Sequence, residues 1–236
     1  MLRRGLSLTV QRVALVFSNL GGSTELYAKA GDAEAFRLVQ AHFATLGAAV
    51  ERHGGAVVKT MSDAEMAVFP DELSAVAGAR DMLVDFEALQ ARDALAGRSA
   101  LKVGLHDGPG FVAAANRALD SFGQTVNVAA RLQGEARKGQ FVLAERVAHE
   151  AVDAGLLAPE QVDDAYVATT KGVGAPLRVA RVQVTGRAAA TRAPALQRAG
   201  DGAPRHEANP CAHEVAPLVR KGRRSHAHGE TMPGAQ

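Results

Sequence analysis

The segment FSNLGGST, residues 17–24, follows the apolar run VALVF and precedes a stretch that reads as helix. A strand that ends in Gly21-Gly22 and opens a helix at Ser23-Thr24 aims free backbone amides at one point, which suits phosphate oxygens. The usual companion of phosphate at such a strand end is a carboxylate that holds a divalent cation. Here that position is Asn19, a neutral amide. Asp63 lies in a tight turn, Ser62-Asp63-Ala64, between two short strand-like stretches. A strand end and a turn beside a strand predict that Asn19 and Asp63 face the same sheet edge. Asn127 and Arg131 are four residues apart in TVNVAARL, hence on one face of a helix. An amide beside a guanidinium suits a ligand with distributed negative charge.

The elements that must position these residues are legible in outline. VALVF (13–17) reads as a buried strand. Ser23 or Thr24 is placed to cap the next helix, with Glu25 favourable in its first turn. A second helix runs from about Ala33 to Arg52, with Phe36, Val39, Phe43, Leu46 and Val50 on one face. His53-Gly54-Gly55 stops it. AVVKTMSDAEMAVF (56–69) reads as two strands around the turn. Pro70-Asp71 begins a helix with Leu73, Val76, Leu83, Phe86 and Leu89 on its apolar side. Then come a strand at 101–109, a helix at 125–139 ended by Gly139, a strand at 140–144, a helix at about 145–154, and strands near 165–169 and 177–184. Strands broken by helices without strict alternation predict an α+β sheet with its helices on one face.

Composition narrows the classes. The 236 residues, 47% hydrophobic and 22% charged, suffice for one domain with a proper core plus a tail. The domain is expected over 1–185; residues 186–236, rich in Ala, Gly, Pro, Arg and His without apolar periodicity, read as disordered. The net charge of +2 tempts a nucleic-acid reading, but the tail holds eight of the 27 Lys+Arg and four of the 25 Asp+Glu, which leaves 1–185 at net −2. Aromatic residues make up only 4% and Trp is absent, so no stacking surface for single strands is evident. No nucleic-acid partner is expected. One cysteine, Cys211, fits a reducing compartment. Arg3 and Arg4 precede apolar residues as in an export signal, but Gln11 and Arg12 interrupt the run and no small-residue cleavage site follows. No run approaches the roughly 18 apolar residues of a membrane span. A cytoplasmic protein without membrane attachment is the expectation. The eight histidines, four of them in the tail, show no metal-binding spacing.

Five segments together resemble the class III adenylate/guanylate cyclase catalytic domain: VALVFSNLGGSTELY, HGGAVVKTMSDAEMAVF, VGLHDGP, DSFGQTVNVAARL and TKGVGAPLRV, in that order over roughly residues 11–184. The resemblance implies a ferredoxin-like α+β core and a homodimer with sites at its interface. It also implies attack of a ribose 3′-hydroxyl on the α-phosphate with release of pyrophosphate, and Mg²⁺ or Mn²⁺ as cofactor. By the same resemblance Asp63 is the second metal-binding aspartate, and Asn19 stands at the place of the first. Asn127 orients the ribose, Arg131 stabilises the pentacoordinate phosphorus and Lys171 meets the triphosphate; the turn into the helix, independently of the resemblance, brings the amides of Gly21, Gly22, Ser23 and Thr24 to the same group. Lys59 corresponds to the purine-reading lysine and Asp120 to the aspartate that accepts from the exocyclic amine. A donor at 59 matches N1 of adenine, so the expected substrate is ATP and the product cyclic AMP, a signalling nucleotide.

The chain departs from the pattern in three places: at Asn19, at the turn Ser62-Asp63-Ala64, and at Glu65, which stands where the family commonly has an apolar residue. Asn19 replaces an acid, which lowers the charge of the metal-binding pair from −2 to −1. Ser62-Asp63-Ala64 replaces glycine-aspartate-glycine, which stiffens the turn. Glu65, two residues beyond Asp63, is the candidate to point the same way and lend the missing charge. Two functions follow: an adenylate cyclase weakened by Asn19, or a degenerate homologue that serves as a nucleotide-binding or dimerisation module without turnover.

Overall fold

The computed structural model describes residues 8–115, 118–168 and 176–184; for 8–11, Thr24, 111–115 and 118–122 it describes the backbone alone. All of these belong to Met1–Ala195, the first of two units into which the chain divides; the second, Leu196–Gln236, lies outside the described residues. The expectations for Lys171 and for the tail 186–236 therefore fall outside the described residues.

Strand β1 runs over Leu8–Gly21, well beyond 13–17. It lies inside the sheet, antiparallel to β3 (Ala64–Phe69) on one side and β4 (Ala100–Ala115) on the other. Both its faces are covered, which is why its centre is apolar at every position. Ala14, Val16 and Leu20 enter one core layer, whereas Val13 and Leu15 enter another. Strand β2 (Ala56–Met61) closes one edge against β3. On the other side β4 pairs in parallel with β6 (Gln140–Ala144), which leads to β8 (Leu177–Gln183) and β7 (Tyr166–Ala168). The order is β2-β3-β1-β4-β6-β8-β7. A further strand, β5 (Ala118–Phe122), which the residue pattern does not mark, pairs with the far end of β4.

Helices α2 (Asp32–Arg52), α3 (Glu72–Arg92) and α5 (Glu145–Asp153) cover one face of the sheet through Leu38, Leu46, Met82, Phe86 and Val147, with α1 (Ser23–Ala30) beside them through Leu26. Asp71 begins α3 as expected, accepting a hydrogen bond from Ser74 N at 2.8 Å. Phe36 departs from expectation: it is 59% exposed, because the buried stripe of α2 runs through Ala35, Leu38, His42 and Leu46 instead.

The helices are not confined to one face. Helix α4 (Gln124–Glu135) lies on the opposite face, where Val128 and Leu132 meet Val142 and Val179. Gly104 permits this. A Cβ there would stand 2.1 Å from Gln133 N and 2.4 Å from Ala129 O, so the backbone of α4 rests directly on β4. The helix also ends at Glu135, before Gly139, whose φ of 72° belongs to the turn into β6.

The Asp107 of VGLHDGP has a structural duty. Its side chain, 5% exposed, takes hydrogen bonds from Arg12 and from Arg146 Nη2, while Glu72 takes Arg146 Nη2 at 3.0 Å. The cluster ties β1, β4, α3 and α5 together, and the Arg146 hydrogen bond leads in holding the Glu72 carboxyl down to about 2. Among the described residues, no helix is long and apolar enough to cross a membrane.

Candidate active site

Strand β1 ends at Gly21, and Gly22, with φ 90°, turns the chain into α1. That backbone geometry favours glycine. The cap of α1 is Gly22 itself; Ser23 is already the first helical residue, and no described side chain caps the helix. The hydroxyl of Ser23 goes elsewhere. Its Oγ donates to Asp63 Oδ2 at 2.5 Å, and Asn19 Nδ2 donates to Asp63 Oδ1 at 3.1 Å. Leu20 N also donates to the Asp63 carbonyl at 3.1 Å, which pins the β2–β3 turn to β1. The expectation that Asn19 and Asp63 share one sheet edge holds in the geometry. Ser62, beside Asp63, sits at φ 56°, a strained value for a residue with a Cβ.

These contacts decide what the pair can hold. Two carboxylates at this separation repel and demand a cation or a proton between them. An amide and a carboxylate at the same separation attract. Both Asp63 oxygens already accept hydrogen bonds, and the Asn19 amide turns its nitrogen, not its oxygen, toward them. This donor set does not fit the two-carboxylate cradle for a pair of Mg²⁺ or Mn²⁺ ions. Among the described residues, no group of three His, Cys, Asp or Glu is arranged to hold a metal.

A residue absent from the sequence-based set also stands at the site. Lys102 on β4 is the direct cross-strand partner of Asn19, so both side chains lie on the same face. Its Cε lies 4.0 Å from where a Cβ on Gly21 would be, so its stem runs beside the glycine turn. Lys102 makes no ion pair with any described residue. A cation without an ion pair among the described residues thus lies beside Gly21. The signal was present in LKVGLHDGP, but only the β1–β4 register reveals its neighbour.

Glu65 does not supply the missing charge. It is the cross-strand partner of Ser18, one residue out of phase with Asn19, and so faces the α2–α3 layer with Ala67. It is 2% exposed, its Oε1 has no hydrogen-bond partner among the described residues, and burial pushes its carboxyl up to about 7 from the ordinary 4.5. The folded state therefore holds this proton more tightly than the unfolded chain. The contribution to stability is complete below the ordinary value and is lost as pH rises through about 7. Urea unfolding of Glu65→Gln is expected to gain on the wild type across that interval and then to hold a constant lead. A difference between the two that does not change with pH would contradict the burial argument.

Asn127 and Arg131 stand one turn apart on α4, both exposed, and neither makes a hydrogen bond or ion pair with a described residue. Thr125 Oγ1 donates to Pro109 O at 2.6 Å and fixes the first turn of α4 to β4. Lys59 is exposed on the edge strand β2, just after a bulge at Val58 that shifts its register against Met66. Asp120 lies on β5 opposite Ala113; its side chain, like that of Thr24, is outside the described residues. The structure thus joins Asn19, Asp63, Ser23 and Lys102. Asn127, Arg131 and Lys59 make no hydrogen bond to that group.

The sequence model of the adenylate and guanylate cyclase catalytic domain matches residues 7–173. Three solved structures are similar in fold. The guanylyl cyclase Cya2 is 18% identical, with 75% of this chain and 95% of that chain covered and a TM-score of 0.63. The adenylyl cyclase CyaB from P. aeruginosa is 16% identical, with 76% and 97% covered and a TM-score of 0.62. An adenylate/guanylate cyclase/hydrolase from Silicibacter pomeroyi is 22% identical, with 76% and 100% covered and a TM-score of 0.62. No curated protein matches the chain by sequence.

Proposed function

The chain belongs to the adenylate and guanylate cyclase catalytic domain family, and from that premise we propose that residues 1–185 form an adenylate cyclase domain that binds ATP well and turns it over slowly. The observation that carries this reading is the pair Asn127 and Arg131, an amide and a guanidinium exposed on one face of α4 and without partners among the described residues. Such groups suit a ribose and a phosphoryl group on which negative charge accumulates.

In the proposed reaction the ribose 3′-oxygen gives up its proton to solvent and forms a bond to the α-phosphorus, while the bond from that phosphorus to the bridging oxygen breaks and pyrophosphate leaves. Arg131 offsets the charge at phosphorus, and Asn127 holds the ribose in line. Lys102, Lys171 and the amides of Gly21, Gly22, Ser23 and Thr24 receive the triphosphate. Lys59 donates to adenine N1 and Asp120 accepts from the exocyclic amine. In members that hold it, a divalent cation lowers the pKa of the 3′-hydroxyl. Asn19 contributes no charge to that task, which is why turnover is proposed to be slow. Asn127 and Arg131 make no hydrogen bond to Asp63 within one chain, and the site is proposed to be built between two copies.

Incubation of the full chain with ATP and either Mg²⁺ or Mn²⁺ is expected to yield cyclic AMP and pyrophosphate in equal amounts at a low rate. The hydrogen bonds that both Asp63 oxygens accept from Asn19 and Ser23 favour a second reading, a nucleotide-binding or dimerisation module without turnover. ATP bound with no product under either metal selects that reading.

The purine assignment has its own test. The wild type is expected to bind ATP more tightly than GTP. Lys59→Glu replaces a donor by an acceptor and is expected to narrow or invert the preference, by about tenfold for one charged hydrogen bond. Equal binding of both nucleotides by the wild type would remove Lys59 and Asp120 from the base site.

A further inference from the structure

The hydrogen bonds around Asp63 carry a consequence for how a nucleotide is held. At a pair of carboxylates, a triphosphate approaches only with cations, because two acids and the phosphates all repel one another. In this chain the pair is an acid and an amide joined by a 3.1 Å hydrogen bond, and the other carboxylate oxygen accepts from Ser23. The charge of Asp63 is thus already answered by two fixed donors, one on β1 and one at the start of α1. Beside them lies Lys102, whose stem runs over Gly21 and which has no ion pair with any described residue.

We propose that this site takes the polyphosphate of a nucleotide without a divalent cation, the Asn19 amide occupying against Asp63 the place that a metal otherwise holds. The proposal rests on the nucleotide-binding reading above and sharpens it. Asn19 removes one negative charge, and its amide together with the Ser23 hydroxyl keeps the remaining carboxylate engaged with protein donors. The phosphates then meet backbone amides and the Lys102 ammonium rather than a bridging ion. Asp63 becomes a structural acceptor that fixes the β2–β3 turn, and its negative charge is a liability to the ligand instead of a requirement.

Titration calorimetry of ATP into the full chain tests this, once with excess Mg²⁺ and once with excess EDTA. The wild-type affinities are expected to agree within about threefold, since no protein–metal contact is lost. Asn19→Asp is expected to weaken binding in EDTA by about tenfold or more and to recover it on addition of Mg²⁺. Asp63→Asn, which keeps the shape of the turn and removes the charge, is expected to bind ATP in EDTA at least as tightly as the wild type. Circular dichroism of each variant checks that it folds. Wild-type binding seen only with Mg²⁺, or lost in Asp63→Asn, overturns the metal-free proposal and leaves the nucleotide reading intact. An Asn19→Asp protein that stays insensitive to Mg²⁺ overturns the assignment of Asn19 to the cation's place. Absence of ATP binding in both buffers overturns the nucleotide reading and this proposal with it.

Discussion

Asn19→Asp is expected to raise the rate of cyclic AMP formation in Mg²⁺ by about 10²–10³, the usual effect of one preorganised electrostatic element at a reacting centre. The side chain is already in position. Asn19 reaches Asp63 at 3.1 Å from β1, so an aspartate of the same length places a second carboxylate against the first without any movement of the backbone. That arrangement is unfavourable alone and favourable around a cation, so the variant is also expected to melt lower than the wild type in EDTA and to regain stability with Mg²⁺. Ser23 still donates to Asp63 Oδ2, which keeps that acid oriented. Rate and melting temperature are both needed for the test. A rate unchanged by the substitution, with or without Mg²⁺, would show that position 19 is not where a carboxylate acts.

Gly104→Val is expected to destabilise the domain by about 3 kcal/mol and to abolish ATP binding. Even the first carbon of a side chain there would lie 2.1 Å from Gln133 N and 2.7 Å from Gln133 Cα, and backbone cannot rotate aside as a side chain would. Helix α4 must lift from β4. Asn127 and Arg131 ride on that helix, so the lift displaces both from their places relative to the sheet. Gly134→Ala is the matched control. It lies in the same helix, a Cβ at that position meets nothing within 4 Å, and it is expected to stabilise by about 0.5–1 kcal/mol through helix propensity alone. Urea unfolding and ATP calorimetry on both variants give the comparison. A Gly104→Val protein within about 0.5 kcal/mol of wild type would mean that α4 does not rest on the sheet as described.

Local chemistry determined much of this protein from its sequence. The 3.6-residue recurrence of Val39, Leu46 and Val50 and of Val76–Leu89, the acid at 71 ahead of α3, and the Ser62-Asp63 turn are each read within a few residues, with Phe36 the exception, because helices and tight turns are decided by near neighbours. The ordered motifs that carry the resemblance are local as well, and they led to the family and its fold. What the tertiary structure alone decided depends on contacts between distant segments. Strand β5 has a sequence, ALDSF, with little strand character, and it exists because a 16-residue β4 extends far enough to pair with it. The face on which α4 lies follows from one glycine, 25 residues away from Ala129, whose missing Cβ has no local signature. Glu65 and Asp63 sit two apart in sequence, yet the turn ends between them, and the strand's alternation then commits Glu65 to the core. Lys102 is an ordinary lysine until the β1–β4 register sets it against Asn19. Composition and spacing name the residues of a site, but the sign of the charge each one meets is fixed by register, and register is a property of the assembled sheet.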